Sequence, residues 1–136
     1  MEINNKIDNG DHLSPPTMFL DIDGTLVHFP HNPEEYKSIA NGTEEMELLP
    51  GVREKLWEWE TKGCKIILTT GRREMFRDET ERALKNAGIG YDQLVMSCGC
   101  GHRYIINDRK PGINELVPTA YAINVGRDEG FTNLEI

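Results

Sequence analysis

The chain has 136 residues, with 15 Lys and Arg against 23 Asp and Glu, a formal charge of −8. That length holds one domain and buries enough apolar surface to fold without a disulfide or metal staple. The acidic balance argues against a general electrostatic binder of nucleic acid or anionic membrane, and no apolar run is long enough to span a bilayer.

Residues 1–16 read as a polar tail that ends in Ser14-Pro15-Pro16 and lacks the apolar stretch of a secretory signal. Residues 17–136 read as a single domain. Met18-Phe19-Leu20-Asp21-Ile22 is a short apolar run that predicts a buried strand ending in acidic residues and Gly24. Residues 28–50 read as irregular, with His28-Phe29-Pro30-His31-Asn32-Pro33 rich in turn formers. Val52, Leu56 and Trp59 then mark one face of a helix that stops at Gly63. Trp57 lies off that face and is expected at the surface or at a subunit contact.

Lys65-Ile66-Ile67-Leu68-Thr69-Thr70 predicts a second buried strand, broken by Gly71. Met75 to Ala87 predicts a helix closed by Gly88. Further strands are expected at Gln93–Met96, Tyr104–Asn107 and Ala120–Val125. Strands alternating with helices predict an α/β fold: a Rossmann-like three-layer sandwich around a mainly parallel sheet of about five strands. The ligand crevice of such a sheet lies at the carboxyl ends of its strands. Asp21 and Asp23, Thr69 and Thr70, and Asp108 would converge there.

The chemistry follows from that convergence. Asp21 and Asp23 are one residue apart, so an extended backbone points both the same way. Clustered carboxylates repel unless a hard cation neutralises them, and Mg²⁺ suits a few carboxylates with waters and a phosphate. A carboxylate can attack phosphorus to form an aspartyl phosphate, while a second moves protons. A threonine hydroxyl and backbone N–H groups can hold the phosphoryl oxygens.

Phe19-Leu20-Asp21-Ile22-Asp23-Gly24-Thr25-Leu26 resembles the first motif of the haloacid dehalogenase superfamily. Ile67-Leu68-Thr69-Thr70-Gly71-Arg72 resembles its second motif, and Ile105-Ile106-Asn107-Asp108 its fourth. The resemblance implies a Mg²⁺-dependent phosphatase with Asp21 as nucleophile and metal ligand. It implies Asp23 as general acid and base, also touching the metal, and Asp108 as the residue completing the metal site. Thr70 and Gly71 would hold the phosphoryl group, with Thr69 as the substitute one position earlier. The third motif's Lys has no counterpart ahead of Asp108; Arg103 and Lys110 are the candidates for its charge, with Lys110 preferred as a compact point charge.

Only 46 positions separate Asp23 from Thr69, which leaves no room for a sizeable cap domain. A capless member resembles those that take large substrates or borrow a neighbouring subunit as a lid, the small octulosonate-phosphate phosphatases among them. The expectation is therefore a cytoplasmic hydrolase for a small phosphorylated metabolite, with neither nucleic acid nor membrane as partner and a second subunit as lid. The competing readings are a phosphate-binding or regulatory protein without turnover, a receiver-like phosphoacceptor, and a phosphatase for nucleic-acid ends, which the acidic charge disfavours. The three cysteines, an odd number, do not suggest a disulfide framework and fit a reducing compartment. Cys98, Cys100 and His102 alternate but lack the fourth ligand and usual spacing of a zinc site. His28 and His31 read as loop histidines at the edge of a substrate-facing flap, and Arg72 as a substrate or ion-pair residue.

Overall fold

A computed structural model describes residues 14–136. Most of the expected tail lies outside the described residues. Strand β1, Thr17–Asp21, alternates cleanly: Met18 and Leu20 are buried while Thr17, Phe19 and Asp21 are exposed. β1 pairs in parallel with β2, Lys65–Thr69, which pairs in parallel with β3, Gln93–Val95. The register sets Asp21 beside Thr69 and Thr69 beside Val95, so the carboxyl ends of all three strands share one edge.

Helix α1, Pro33–Asn41, occupies the stretch expected to be irregular. Its start has a local cause. Asn32 is the N-cap and accepts from the Glu35 N–H at 2.9 Å, Pro33 fixes the first turn, and Glu34 and Glu35 face the positive end of the helix dipole. Helix α2, Val52–Thr61, buries Val52, Leu56 and Trp59 as its periodicity predicts. A short 3₁₀ turn, Glu74–Phe76, leads into α3, Arg77–Asn86, which buries Thr80, Ala83 and Leu84. Met75, where the helix was expected to begin, instead lies exposed on that turn.

The five-strand, three-layer expectation is overturned. The sheet has three parallel strands, and β4, Lys110–Pro111, pairs with β5, Leu116–Val117, in a separate antiparallel ribbon. The strand order runs β1-β2-β3 without reversal. Right-handed crossovers in that order put their helices on the same face. Accordingly Met18, Leu20, Ile66, Leu68 and Leu94 pack into one core with Val52, Leu56 and Trp59 of α2 and Leu84 of α3. The opposite face leaves Phe19 58% and Val95 42% exposed.

The expected strands at Tyr104–Asn107 and Ala120–Val125 are not strands. Both stretches lie outside the sheet, with Ile106 95% exposed. Gly99 and Gly101 precede the first, and Pro118, which has no N–H to give to a ladder, precedes the second. A strand needs a partner edge, and among the described residues neither stretch has one, although Val125 packs against the core.

The final segment docks back on the core. The Phe131 N–H donates to the Pro50 carbonyl at 2.8 Å, and its ring meets Trp59 at 5.8 Å between centroids. The Trp59 indole N–H in turn donates to the Ile136 backbone oxygen at 3.3 Å. No helix among the described residues is long and apolar enough to cross a membrane. Phe131→Ala removes a buried ring and the anchor of this segment. It is expected to cost about 3 kcal/mol in urea denaturation; a loss below about 1 kcal/mol would mean the segment packs loosely.

Candidate functional site

The site begins with a tight turn after β1. The Ile22 carbonyl accepts from the N–H groups of Thr25, Leu26 and Val27, while Ile22 and Leu26 are fully buried beneath. Gly24 takes φ +85°, a left-handed conformation that costs a side chain, and its N–H donates to the Val27 carbonyl at 2.7 Å. The turn holds Asp21 at the strand end and Asp23 just past it. Thr25 donates its hydroxyl to Asp21 Oδ2 at 3.3 Å.

Asp23 faces inward to Arg72. The guanidinium gives Nε to Asp23 Oδ2 at 2.9 Å and Nη2 to Oδ1 at 2.8 Å, a planar fork on one carboxylate. The same guanidinium grips Glu44 through Nη1 at 2.8 Å and Nη2 at 2.7 Å, and reaches Thr80 Oγ1 at 3.3 Å. The Arg72 side chain is only 6% exposed. Burial works against its charge, but the hydrogen bonds to Asp23 and Glu44 outweigh that and raise its pKa above the ordinary arginine value. Arg72 is therefore the internal brace of the site. Glu44 is its missing member in the sequence reading: it belongs to an acidic stretch with no motif, and only the fold brings it to Arg72.

Asp21 is the open carboxylate. Its pKa is raised above the ordinary aspartate value, first because neighbouring atoms desolvate it, and further because Asp23 repels its charge; the Ile22 backbone, Thr25 and Arg103 pull the other way. Arg103 thus lends positive charge to Asp21 while donating to the Gly99 and Gly101 carbonyls at 3.0 and 2.6 Å. Lys110 lies elsewhere, bonded to Asp108 at 3.0 Å. Asp108 sits in the exposed stretch after Gly99, its backbone carbonyl accepting from Thr119 at 2.7 Å.

Thr69 stands beside Asp21 in the register, partly exposed. Thr70 is buried; its Oγ1 accepts from the Arg72 N–H at 3.1 Å, its N–H donates to Val95 and its carbonyl accepts from Cys98. Gly71 passes so close to the Gly99 carbonyl that an added Cβ would lie 2.9 Å from it. The structure thus gathers Asp21, Asp23, Thr69, Thr70 and Gly71 at one sheet edge and holds Asp108 with Lys110 in a separate stretch.

Mg²⁺ is held through one or two carboxylates plus substrate phosphate oxygens and waters. Asp21 fits that requirement, being open, desolvated and repelled by Asp23. Asp23 has both oxygens in the Arg72 fork, and Asp108 is engaged by Lys110.

No family model matches the chain, and no curated protein matches it. Solved structures do. A chain of the Pnkp1/Rnl/Hen1 complex is 30% identical, with a TM-score of 0.53, over 74% of this chain and 33% of that one. A chain of the Pnkp1/Rnl/Hen1 RNA repair complex is 33% identical, with a TM-score of 0.50, over 60% of this chain and 25% of that one. The present chain therefore corresponds to a quarter to a third of the length of these neighbours. They overturn the expectation of a capless haloacid dehalogenase phosphatase for a small metabolite. They equally overturn the exclusion of nucleic acid, because the similar chains belong to an assembly that repairs RNA. Net charge averages over the whole surface and does not report on a local patch.

Two stability experiments test the site. For an acid whose pKa is raised by folding, the protonated form is the one the fold favours. That contribution is complete below the unfolded value of about 4 and is lost as pH rises through the higher folded value. Asp21→Asn should therefore raise the melting temperature at pH 7, and the gain should vanish near pH 3. An equal gain at both pH values would remove ionisation as the cause. Arg72→Leu leaves Asp23 and Glu44 facing each other without their cation and is expected to cost about 3 kcal/mol in denaturant titration.

Proposed function

We propose that this chain is a phosphomonoesterase domain acting on the phosphorylated end of an RNA strand during repair. The likeness to chains of an RNA repair complex carries the reading. The carboxylate edge supplies a chemistry consistent with it. Asp21, open at the end of β1, attacks phosphorus; the phosphorus–oxygen bond to the RNA breaks, leaving an aspartyl phosphate and an RNA hydroxyl. Water then cleaves the acyl phosphate and regenerates Asp21. Asp23 is the neighbouring acid, and it can give a proton to the departing oxygen only by leaving the Arg72 fork. Mg²⁺ bound by Asp21 and the substrate would neutralise charge on the phosphoryl oxygens.

The exposed stretch after Gly99 supports RNA as substrate. His102, Arg103, Tyr104 and Arg109 are all exposed, and Tyr104 is among the most exposed large side chains of the molecule. Basic groups around a free aromatic ring suit a single strand, whose bases stack on rings while its phosphates meet cations. The three cysteines are free, which suits a reducing compartment such as the cytoplasm.

The test is phosphate release, with Mg²⁺, from RNA oligonucleotides carrying a 5′- or a 3′-phosphate, alongside a panel of sugar phosphates. RNA ends should be dephosphorylated, and Asp21→Asn should slow the reaction by about 100-fold or more. Turnover of sugar phosphates alone, or full RNA turnover by Asp21→Asn, would overturn the reading.

A further inference from the structure

His28, His31 and Asp128 meet at a place that the phosphoryl chemistry does not use. The histidines lie in the loop between the turn after β1 and α1, and Asp128 comes from the final segment about 100 residues later. The Asp128 N–H donates to the Gly24 carbonyl at 2.9 Å, and its Oδ1 accepts from the Phe29 N–H at 2.8 Å. Arg127 stacks on the Phe29 ring at 4.1 Å. Asp128 adopts φ +63°, a conformation that aspartate tolerates better than most residues. With Oδ1 committed, Oδ2 is turned to the imidazoles: His31 Nε2 is 3.2 Å away and His28 Nδ1 3.9 Å.

These three atoms all lie within 4.8 Å of one another. Ligands about 2.0–2.1 Å from a tetrahedral zinc ion are about 3.3 Å apart. The His31–Asp128 separation already has that value, and His28 needs only a small inward shift. Two imidazoles with a carboxylate favour a borderline transition-metal ion over Mg²⁺ or Ca²⁺, which prefer oxygen alone. The Phe29 N–H on Oδ1 is the kind of supporting bond that orients a ligating carboxylate. Both imidazoles are exposed, so an ion can enter and keep an open coordination position. Among the described residues, Cys98, Cys100 and His102 form no comparable group.

We propose that His28, His31 and Asp128 bind one divalent ion of the Zn²⁺ class, at a site distinct from Asp21. The ion clamps the loop after β1 to the final segment. It closes a loop of about 100 residues, so binding is coupled to folding.

The experiment titrates the full chain with Zn²⁺ by calorimetry in excess Mg²⁺, and with Co²⁺ by absorption. Wild type is compared with His31→Gln and Asp128→Asn; the latter keeps an oxygen for the Phe29 N–H and a residue type that accepts positive φ. One Zn²⁺ should bind, with a rise of about 5 °C in melting temperature at a large excess of ion. Each variant should weaken binding at least tenfold and lose the rise, while melting near the wild type without metal. The Co²⁺ spectrum should lack thiolate charge-transfer bands. Absence of Zn²⁺ binding, undiminished binding in both variants, or a strong thiolate band would overturn the proposal.

Discussion

One guanidinium organises the carboxylate edge of the sheet. Arg72 leaves the end of β2 and joins Asp23 from the turn after β1, Glu44 from the segment after α1, and Thr80 from α3. A fork of N–H donors is suited to two carboxylates at once, where a lysine would offer a single point of charge. Removing it would leave two acids against each other in partly buried positions. The brace also leaves the edge negative: two carboxylates share one cation, and Asp21 adds a third negative charge when ionised. An anion approaching this edge meets that charge unless a cation is bound or Arg103 is drawn closer.

The sheet's order explains the open side of the molecule. Three strands in sequence order send their crossover helices to one face, and the core of the described residues forms there. Phe19 and Val95 remain exposed on the other face, and Tyr104, Ile105 and Ile106 are exposed in the stretch that follows the sheet. These residues read as strand-forming in the sequence because strand patterns report side-chain chemistry, not the availability of an edge.

What was legible in the sequence was local. Val52, Leu56 and Trp59 announced α2 because 3.6-residue periodicity is visible without a partner. Asp21 and Thr69 were placed at strand ends because each apolar run stops at them, and the register sets them side by side. Helix α1 was signalled by Asn32-Pro33-Glu34-Glu35, a cap, a first-turn proline and two acids, yet it has few apolar positions and periodicity alone missed it. The contacts of Glu44 and Asp128 were not legible, because each is made across dozens of residues from a segment without a pattern, and the stretch before Asp108 carries a strand pattern without being a strand. The strand-end carboxylates could be seen in the residues, but the likeness to chains of an RNA repair complex could not. That information lies in surfaces and partners rather than in the carboxylates.

The final segment connects these observations. Phe131 anchors it on Trp59 and Pro50, and the Ile136 backbone oxygen accepts from both Trp59 and Lys55. From that anchor Asp128 reaches the Gly24 carbonyl, within the turn between Asp23 and Thr25, and the Phe29 N–H just after the turn. The turn is thus held from two directions: from inside by the Arg72 fork on Asp23, and from outside by Asp128 on its backbone. A left-handed Gly24 permits the tight path but supplies no force to maintain it. Two opposed restraints do so, which is how a short loop on a three-stranded sheet can keep Asp21 and Asp23 in place.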